Sequence, residues 1–387
     1  MRTSRWFAVG QARGSDRQPG IRAAEQALVG SDAKLLLVFC SEALDLPAVI
    51  GQIQTRSGGV PLIGCTTAGE ITTTGPSDAS LLVAALGGDG FSVGTAIARQ
   101  TSGNLRAAGE HAAGCLTAVE DRPYRVLLLL TDSLAGNQQD IVRGAYSVLG
   151  SGVPLVGGCA GDDLKMTGTF QMHGDEVVTQ SVVAAGIGSD APFGIGVRHG
   201  WRKLGEPLLV THSSGNTVYT LDDAPALDVY LERLRVPVPA QLNQEELARL
   251  AMRHPLGLSR REGEEQIRFI SGGETAERSL RCIAEVPQGG LVWIMEGDAA
   301  SVLAATDAAC HDSLAGLDGR PSRGMLAFDC IARRGVLGQQ GIQAEIGRIA
   351  AIAAGAPVAG FYTYGEIART SGMSGFHNQT LVVLSIA

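Results

Sequence analysis

Two similarly patterned segments hold the residues with the most chemical content. Residues 60–71 read VPLIGCTTAGEI and residues 356–367 read APVAGFYTYGEI, so Gly64 and Gly360 are each followed six positions later by an acid, Glu70 and Glu366. Residues 153–164, VPLVGGCAGDDL, form a weaker third copy, in which Asp162 stands, after a one-residue slip, where the others have glutamate. A carboxylate just beyond a glycine could point into a pocket and hold a ligand amine, or orient a basic side chain. It could equally cap nearby backbone, and the glycines could serve only as turns. Cys65 and Cys159 stand at strand exits where a thiolate nucleophile could act, but no histidine is recognisable as a partner base. Burial as structural thiols is the alternative.

Each of the seven histidines is a candidate metal ligand. His111 and His311 lie among alanines in helical stretches, and His173 lies in a Met-His-Gly-Asp-Glu turn. His199, His212 and His254 have no Asp, Glu or Cys at ligand spacing. His377, in GFHNQT, opens the final strand ten residues after the third motif and is expected at the same crevice as Glu366, as a ligand or in a structural hydrogen bond. The sequence lacks G-x-S-x-G, Walker A, C-x-x-C and H-E-x-x-H patterns, and Gly194-Ile-Gly196 does not complete G-x-G-x-x-G. Nucleotide binding, structural zinc, zincin chemistry and covalent haem therefore have no signature here.

The flanks of each motif repeat as well. Apolar runs of strand length precede them at 35–40, 126–130 and 325–330, each followed by a stretch with helical spacing: Leu46, Val49, Ile50, Ile53; Ile141, Ala145, Val148, Leu149; Ile342, Ile346, Ile349, Ala353. Further apolar runs follow at 81–86, 182–187 and 381–386. Continuous apolar strands joined through helices predict an α/β protein built from repeated strand–helix–strand–strand units with largely parallel sheets. Ligands of such sheets bind at the carboxyl ends of the strands, where the motifs lie. Residues 290–295 read as a strand, with Asp298 capping a helix to about Ala309. Residues 226–235 and 244–252 read as helices. Two domains are expected, 1–220 and 221–387, as the length of 387 residues also suggests.

Hydrophobic residues make up 45% of the chain against 18% charged, which excludes disorder. The formal charge of −8 gives no general attraction to nucleic acid or anionic lipid. Seven scattered cysteines fit a reducing, cytoplasmic setting better than a disulfide framework. Trp6–Val9 is too short an apolar run for a signal peptide, and the stretch 349–365 is interrupted by Gly355, Pro357 and Gly360, so no membrane insertion is expected.

The VPLIGCTTAGEI, SLLVAAL and VPLVGGCAGDD segments resemble the amino-terminal FIST domain, and AFDCIARR, PVAGFYTYGEI and FHNQTLVVLSI resemble its carboxy-terminal partner. The resemblance runs from about residue 20 to the end. It implies a non-catalytic bacterial sensory protein that binds a small ligand and reports to a separate histidine kinase or cyclic-di-GMP enzyme; a homodimer is a separate option for a signalling chain of this length. Some family members of this kind are haem proteins that sense nitric oxide. For haem b the resemblance implies an axial histidine, for which His377 is the first choice. Phe361, Tyr362, Tyr364 and Phe376 would be walls, and Arg333 or Arg334 would meet the propionates. An alternative is an amino acid or similar metabolite, its ammonium held by Glu366 or Glu70 and its carboxylate by Arg333. A further alternative is an enzyme with Cys65 or Cys159 as nucleophile.

Overall fold

The computed structural model describes residues 4–99, 103–119, 121–236, 244–260, 264–274, 276–370 and 374–387. The chain is folded from one pattern used three times. The first unit is strand β1 (Trp6–Arg13), helix α1 (Pro19–Ala27), β2 (Ala33–Cys40), α2 (Leu46–Ser57), β3 (Leu62–Thr66), a hairpin of β4 (Glu70–Thr72) and β5 (Gly75–Ser77), and β6 (Ser80–Gly87). The second repeats that order as β7 (Phe91–Arg99), α3 (Leu105–Ala113), β8 (Tyr124–Thr131), α4 (Gln138–Leu149), β9 (Leu155–Cys159), β10 (Gln171–His173), β11 (Glu176–Val178) and β12 (Ser181–Ser189). The third opens with β13 (Phe193–Arg198) and is then interrupted by a long insertion.

That insertion comprises β14 (Arg202–Ser214), β15 (Thr217–Leu221), β16 (Ala224–Pro225), α5 (Ala226–Arg233), α6 (Gln244–Arg253), β17 (Leu256–Leu258), β18 (Gln266–Arg268), β19 (Ile270–Glu274), β20 (Ser279–Cys282) and β21 (Leu291–Glu296), joined as an eight-stranded sheet. The third unit then resumes with α7 (Ala299–Ala315), β22 (Gly324–Cys330), α8 (Ile331–Ile352), β23 (Val358–Thr363), β24 (Glu366–Arg369), β25 (Phe376–His377) and β26 (Leu381–Ile386). Asp298 caps α7 as its sequence suggests, accepting from Ser301 N at 2.8 Å. Residue 220, where a boundary between two domains is expected, falls inside β15.

The three units are interlocked. Each six-stranded sheet is completed by a hairpin from another unit, in the orders β1-β6-β2-β3-β10-β11, β7-β12-β8-β9-β24-β25 and β13-β26-β22-β23-β4-β5. The exchange closes in a ring: the first unit lends its hairpin to the third, the third to the second, and the second to the first.

Largely parallel sheets are not what forms. Among the described residues only β2/β3, β8/β9 and β22/β23 run parallel, and the other pairings are antiparallel. Continuous apolar runs arise here because both faces of each sheet are covered, whatever the strand direction. Leu35, Leu37 and Phe39 meet Val126, Leu128, Leu130, Leu326 and Phe328 in a core shared by the three sheets. Their neighbours Leu36, Val38 and Cys40 pack under α1 and α2 instead. At the centre the Phe39 and Phe361 rings lie 4.7 Å apart, and Phe328 meets Phe361 edge-on at 5.7 Å.

The motif glycines sit inside strands and not at turns. Gly64, Gly157 and Gly360 lie within β3, β9 and β23, where a Cβ would stand 2.5, 1.9 and 2.0 Å from the carbonyl oxygens of Val38, Leu129 and Ala327 on the parallel neighbour. Only a residue without Cβ permits that approach.

Candidate functional site

A cavity of about 1400 Å³ opens where the carboxyl ends of β9 and β22, the first turns of α4 and α8, and one edge of the inserted sheet converge. Cys159 and Cys330 form its floor from the strands, while Phe269, Cys282 and Ile283 come from the insertion. The wall of α8 is broken at Gly338 (φ 61°, ψ −178°), which lines the cavity.

Polar groups on this wall are placed and partly unsatisfied. The Gln138 amide donates through Nε2 to Asp132 O at 2.8 Å and Gly136 O at 3.1 Å, which fixes its orientation and leaves Oε1 with no partner. Asn378 donates to His377 O at 3.0 Å, and its Oδ1 is likewise unmatched. Gln138 is 3% exposed and Asn378 1%, so neither oxygen is satisfied by bulk water. The Ser133 hydroxyl, also on the wall, has no partner.

The charged groups are mostly paired. Arg334 donates to Ala68 O at 2.7 Å and to both Asp78 oxygens at 2.8 and 3.0 Å, and its guanidinium lies over the Tyr362 ring. Arg143 ties Asp140 to Glu285, each at 3.0 Å, and so joins α4 to the inserted sheet. Asp163 has only the Ser41 hydroxyl at 3.5 Å, and desolvation together with nearby Asp78 pushes its pKa up.

Of the residues singled out from the sequence, Tyr364 and Cys159 reach the cavity, together with Arg334 and Phe376. The Tyr364 hydroxyl donates to Asp162 Oδ1 at 2.6 Å and accepts from Leu164 N at 2.5 Å. Asp162 itself is not on the cavity wall and accepts from the amides of Met166, Thr167 and Gly168, and against desolvation the Tyr364 hydroxyl, with these amides, holds its pKa low.

Glu70 and Glu366 do not reach the cavity. Both are fully buried at the first residue of an exchanged hairpin. Thr67 and Ser80 hydroxyls donate to Glu70, while Thr363 Oγ1 and Thr380 N donate to Glu366 at 2.5 and 3.1 Å. Burial pushes each pKa up to about 8. Asp162 is not the third member of this set. Ala68 N bonds Tyr362 O, Gly161 N bonds Thr66 O and Tyr364 N bonds Cys159 O in one cyclic pattern, so Asp162 matches Gly69 and Gly365. The glutamate position falls on Gln171, which opens β10 after residues 163–170.

Arg333 cannot meet a carboxylate or propionate in the cavity. It is fully buried, bound to Asp329 at 2.6 Å, Glu345 at 2.7 Å, Thr306 Oγ1 at 2.8 Å and His199 O at 2.8 Å. Tyr362 is buried beneath Arg334, with its hydroxyl unmatched. Cys65 lies in the central core with its pKa driven well up by desolvation, and desolvation pushes Cys159 up to about 12, so neither is poised as a thiolate.

The cavity has the room and apolar walls for haem b, with Arg143 and Arg334 as cations, but the histidine does not fit. Phe376 and Asn378 face the cavity while His377, between them, bonds Ala368 O through Nε2 at 3.0 Å, and burial pushes its pKa down to about 4. No histidine is on the wall among the described residues. Among the described residues no group of three or more His, Cys, Asp and Glu is placed to hold a metal ion, and no helix is long and apolar enough to cross a membrane.

The site residues missed from the sequence are Gln138, Asn378 and Ser133. Asn378 had a signal in the polar tract His377–Thr380, which is buried throughout. Gln138 follows the α4 cap Asn137 and reads in sequence as an ordinary first-turn residue.

The family model for the FIST N domain matches residues 34–224, and that for the FIST C domain matches residues 226–369. A protein of Methanocaldococcus jannaschii, named uncharacterized protein MJ1623, is 29% identical over 154 residues, which cover 38% of this chain and 30% of the relative. The match thus spans less than a third of that relative's length. Among solved structures, a cyanuric acid hydrolase from A. caulinodans aligns over 98% of this chain and 99% of its own with a TM-score of 0.36 and 9% identity. With the two family models together matching most of its length, the chain belongs to the FIST family and carries both the FIST N and FIST C domains.

Proposed function

We propose that this protein is the ligand-binding component of a sensory pathway, as FIST domains are associated with sensory ligand binding in signal transduction. Its ligand is a small metabolite rich in N–H donors, a free amino acid or an amine, and not haem. The observation that carries this reading is that two residues lining the 1400 Å³ cavity, Gln138 and Asn378, have buried amide oxygens without donors. A buried acceptor without a donor costs about 1–3 kcal/mol, which a ligand N–H restores. The raised thiol pKa values support binding without covalent catalysis.

The cavity is walled both by the three-unit body and by the insertion, so an occupant contacts both. A ligand that fits one seating of the inserted sheet better than another shifts that equilibrium by the difference in its affinities. A separate histidine kinase or cyclic-di-GMP enzyme reads the change.

The test is a thermal-shift panel of the proteinogenic amino acids and their decarboxylated amines, alongside an absorption spectrum after haem reconstitution. A true ligand at a hundredfold its Kd adds about 2.7 kcal/mol. The expected result is stabilisation by a subset of the panel and no stoichiometric Soret band. A Soret band at one haem per chain, with no response to any panel member, overturns the reading.

A further inference from the structure

Residues 163–170 separate Asp162 from Gln171, whereas in the other two units the matching residues, Gly69 and Glu70 or Gly365 and Glu366, are adjacent. This extra loop is held in an unfavourable backbone state: Asp163, Leu164 and Met166 have φ of 54°, 64° and 54°. Leucine and methionine in the left-handed region persist only where surrounding bonds over-determine them. The Asp162 carboxylate supplies those bonds from within the second unit, and Tyr364 from the third.

The held loop presents apolar side chains to the cavity mouth. Leu164 and Met166 are 58% and 55% exposed, and Leu134 and Ile283 beside them on the same cavity are 45% and 41% exposed. These four are half of the eight large apolar side chains that the described residues leave exposed. Concentration of exposed apolar surface at one rim marks a binding edge. The charges on the wall are unequal as well: Asp78, Asp140, Asp163 and Glu285 stand against Arg143 and Arg334. With Arg143 shared by Asp140 and Glu285 and Arg334 taken by Asp78, the surplus is negative.

We propose that the cavity selects a monocationic amine with an apolar body over the zwitterion or anion built on the same body. The amine's charge offsets the surplus carboxylate, and the amide oxygens of the wall residues Gln138 and Asn378 lack donors. The body packs on Leu134, Leu164, Met166 and Ile283. Neither arginine has its guanidinium unengaged for a carboxylate. This inference rests on the metabolite reading above and narrows its ligand class.

The test compares phenethylamine, phenylalanine and 3-phenylpropionate by calorimetric titration of the full chain; they share one body and carry charges of +1, 0 and −1. The expected order is amine, then amino acid, then acid, with the amine about tenfold tighter than the acid from a charged hydrogen bond and an exposed charge together. Asp163→Asn, an exposed position, narrows the gap by roughly fivefold. Leu164→Ala with Met166→Ala weakens all three alike. Equal or reversed affinities overturn the inference. So does failure of all three to bind while another panel member stabilises the protein, in which case the metabolite reading stands. If no panel member stabilises the protein, both fall together.

Discussion

The Glu366 carboxylate takes the Thr380 amide at 3.1 Å in the same place in its unit where the Gln171 amide oxygen takes the Ser181 amide at 3.3 Å. Thr363 and Thr169 complete the correspondence, the first donating to Glu366 and the second accepting from Gln171 Nε2. A neutral side chain thus already serves one of three equivalent junctions where a hairpin crosses between units.

Glu366→Gln is therefore expected to stabilise the protein in alkaline solution. The native pKa, pushed up to about 8 by burial, exceeds the roughly 4.3 of an unfolded glutamate. The folded state keeps a proton that the unfolded chain loses, so the contribution is complete below about pH 4.3 and is lost as pH rises toward 8. Urea midpoints at pH 5.5 and 8.5 should show the variant at least as stable as wild type at the higher pH, with a shallower decline. Glu70→Gln should add the same effect, since Glu70 is raised to a similar value. A variant less stable than wild type at pH 8.5 would mean that the site favours the ionised carboxylate over a neutral side chain.

The Arg333 cluster separates two kinds of buried charge. Asp329 Oδ2 and Glu345 Oε2 have no hydrogen-bond partner, and burial beside Glu345 pushes the Asp329 carboxyl well above its usual range. Asp329→Asn mimics the protonated acid and keeps the oxygen that receives Arg333 Nε, so it should cost under about 1 kcal/mol. Arg333→Met leaves buried carboxyl groups without their cation and should cost about 3–5 kcal/mol. Equal losses in chemical denaturation would show that Asp329 is held in its charged form.

The repeats were legible because each is enforced by local chemistry. Gly64, Gly157 and Gly360 cannot carry a Cβ, and the helical periods of α2, α4 and α8 follow from burying one face of each. Strand direction was not legible, since burial on both faces erases the alternation that marks an antiparallel strand. Hairpin exchange was hidden because Ile71 finds its partner in Gly360, far along the chain. Arg333 and Arg334 show the limit at the site: adjacent helical residues differ by about 100° in direction, and one faces the core while its neighbour faces the cavity. Gln171 was concealed by the residues inserted before it.

That inserted loop provides a test of how the cavity rim is held. Tyr364→Phe removes the hydroxyl that joins Asp162 Oδ1 to Leu164 N, while the ring stays packed against the third unit's core. The global unfolding midpoint should move little, because residues 163–167 are exposed and contribute little to the core. Local opening should become easier by about 1–3 kcal/mol, the worth of the two bonds lost, which is roughly a tenfold or greater gain in amide exchange at Leu164 to Gly168. Asp162→Ala, which removes the acceptor for three amides, should loosen the loop further and speed tryptic cleavage after Lys165. Unchanged exchange in both variants would show that the left-handed residues keep their conformation without this latch, and that the rim is set by the flanking strands alone.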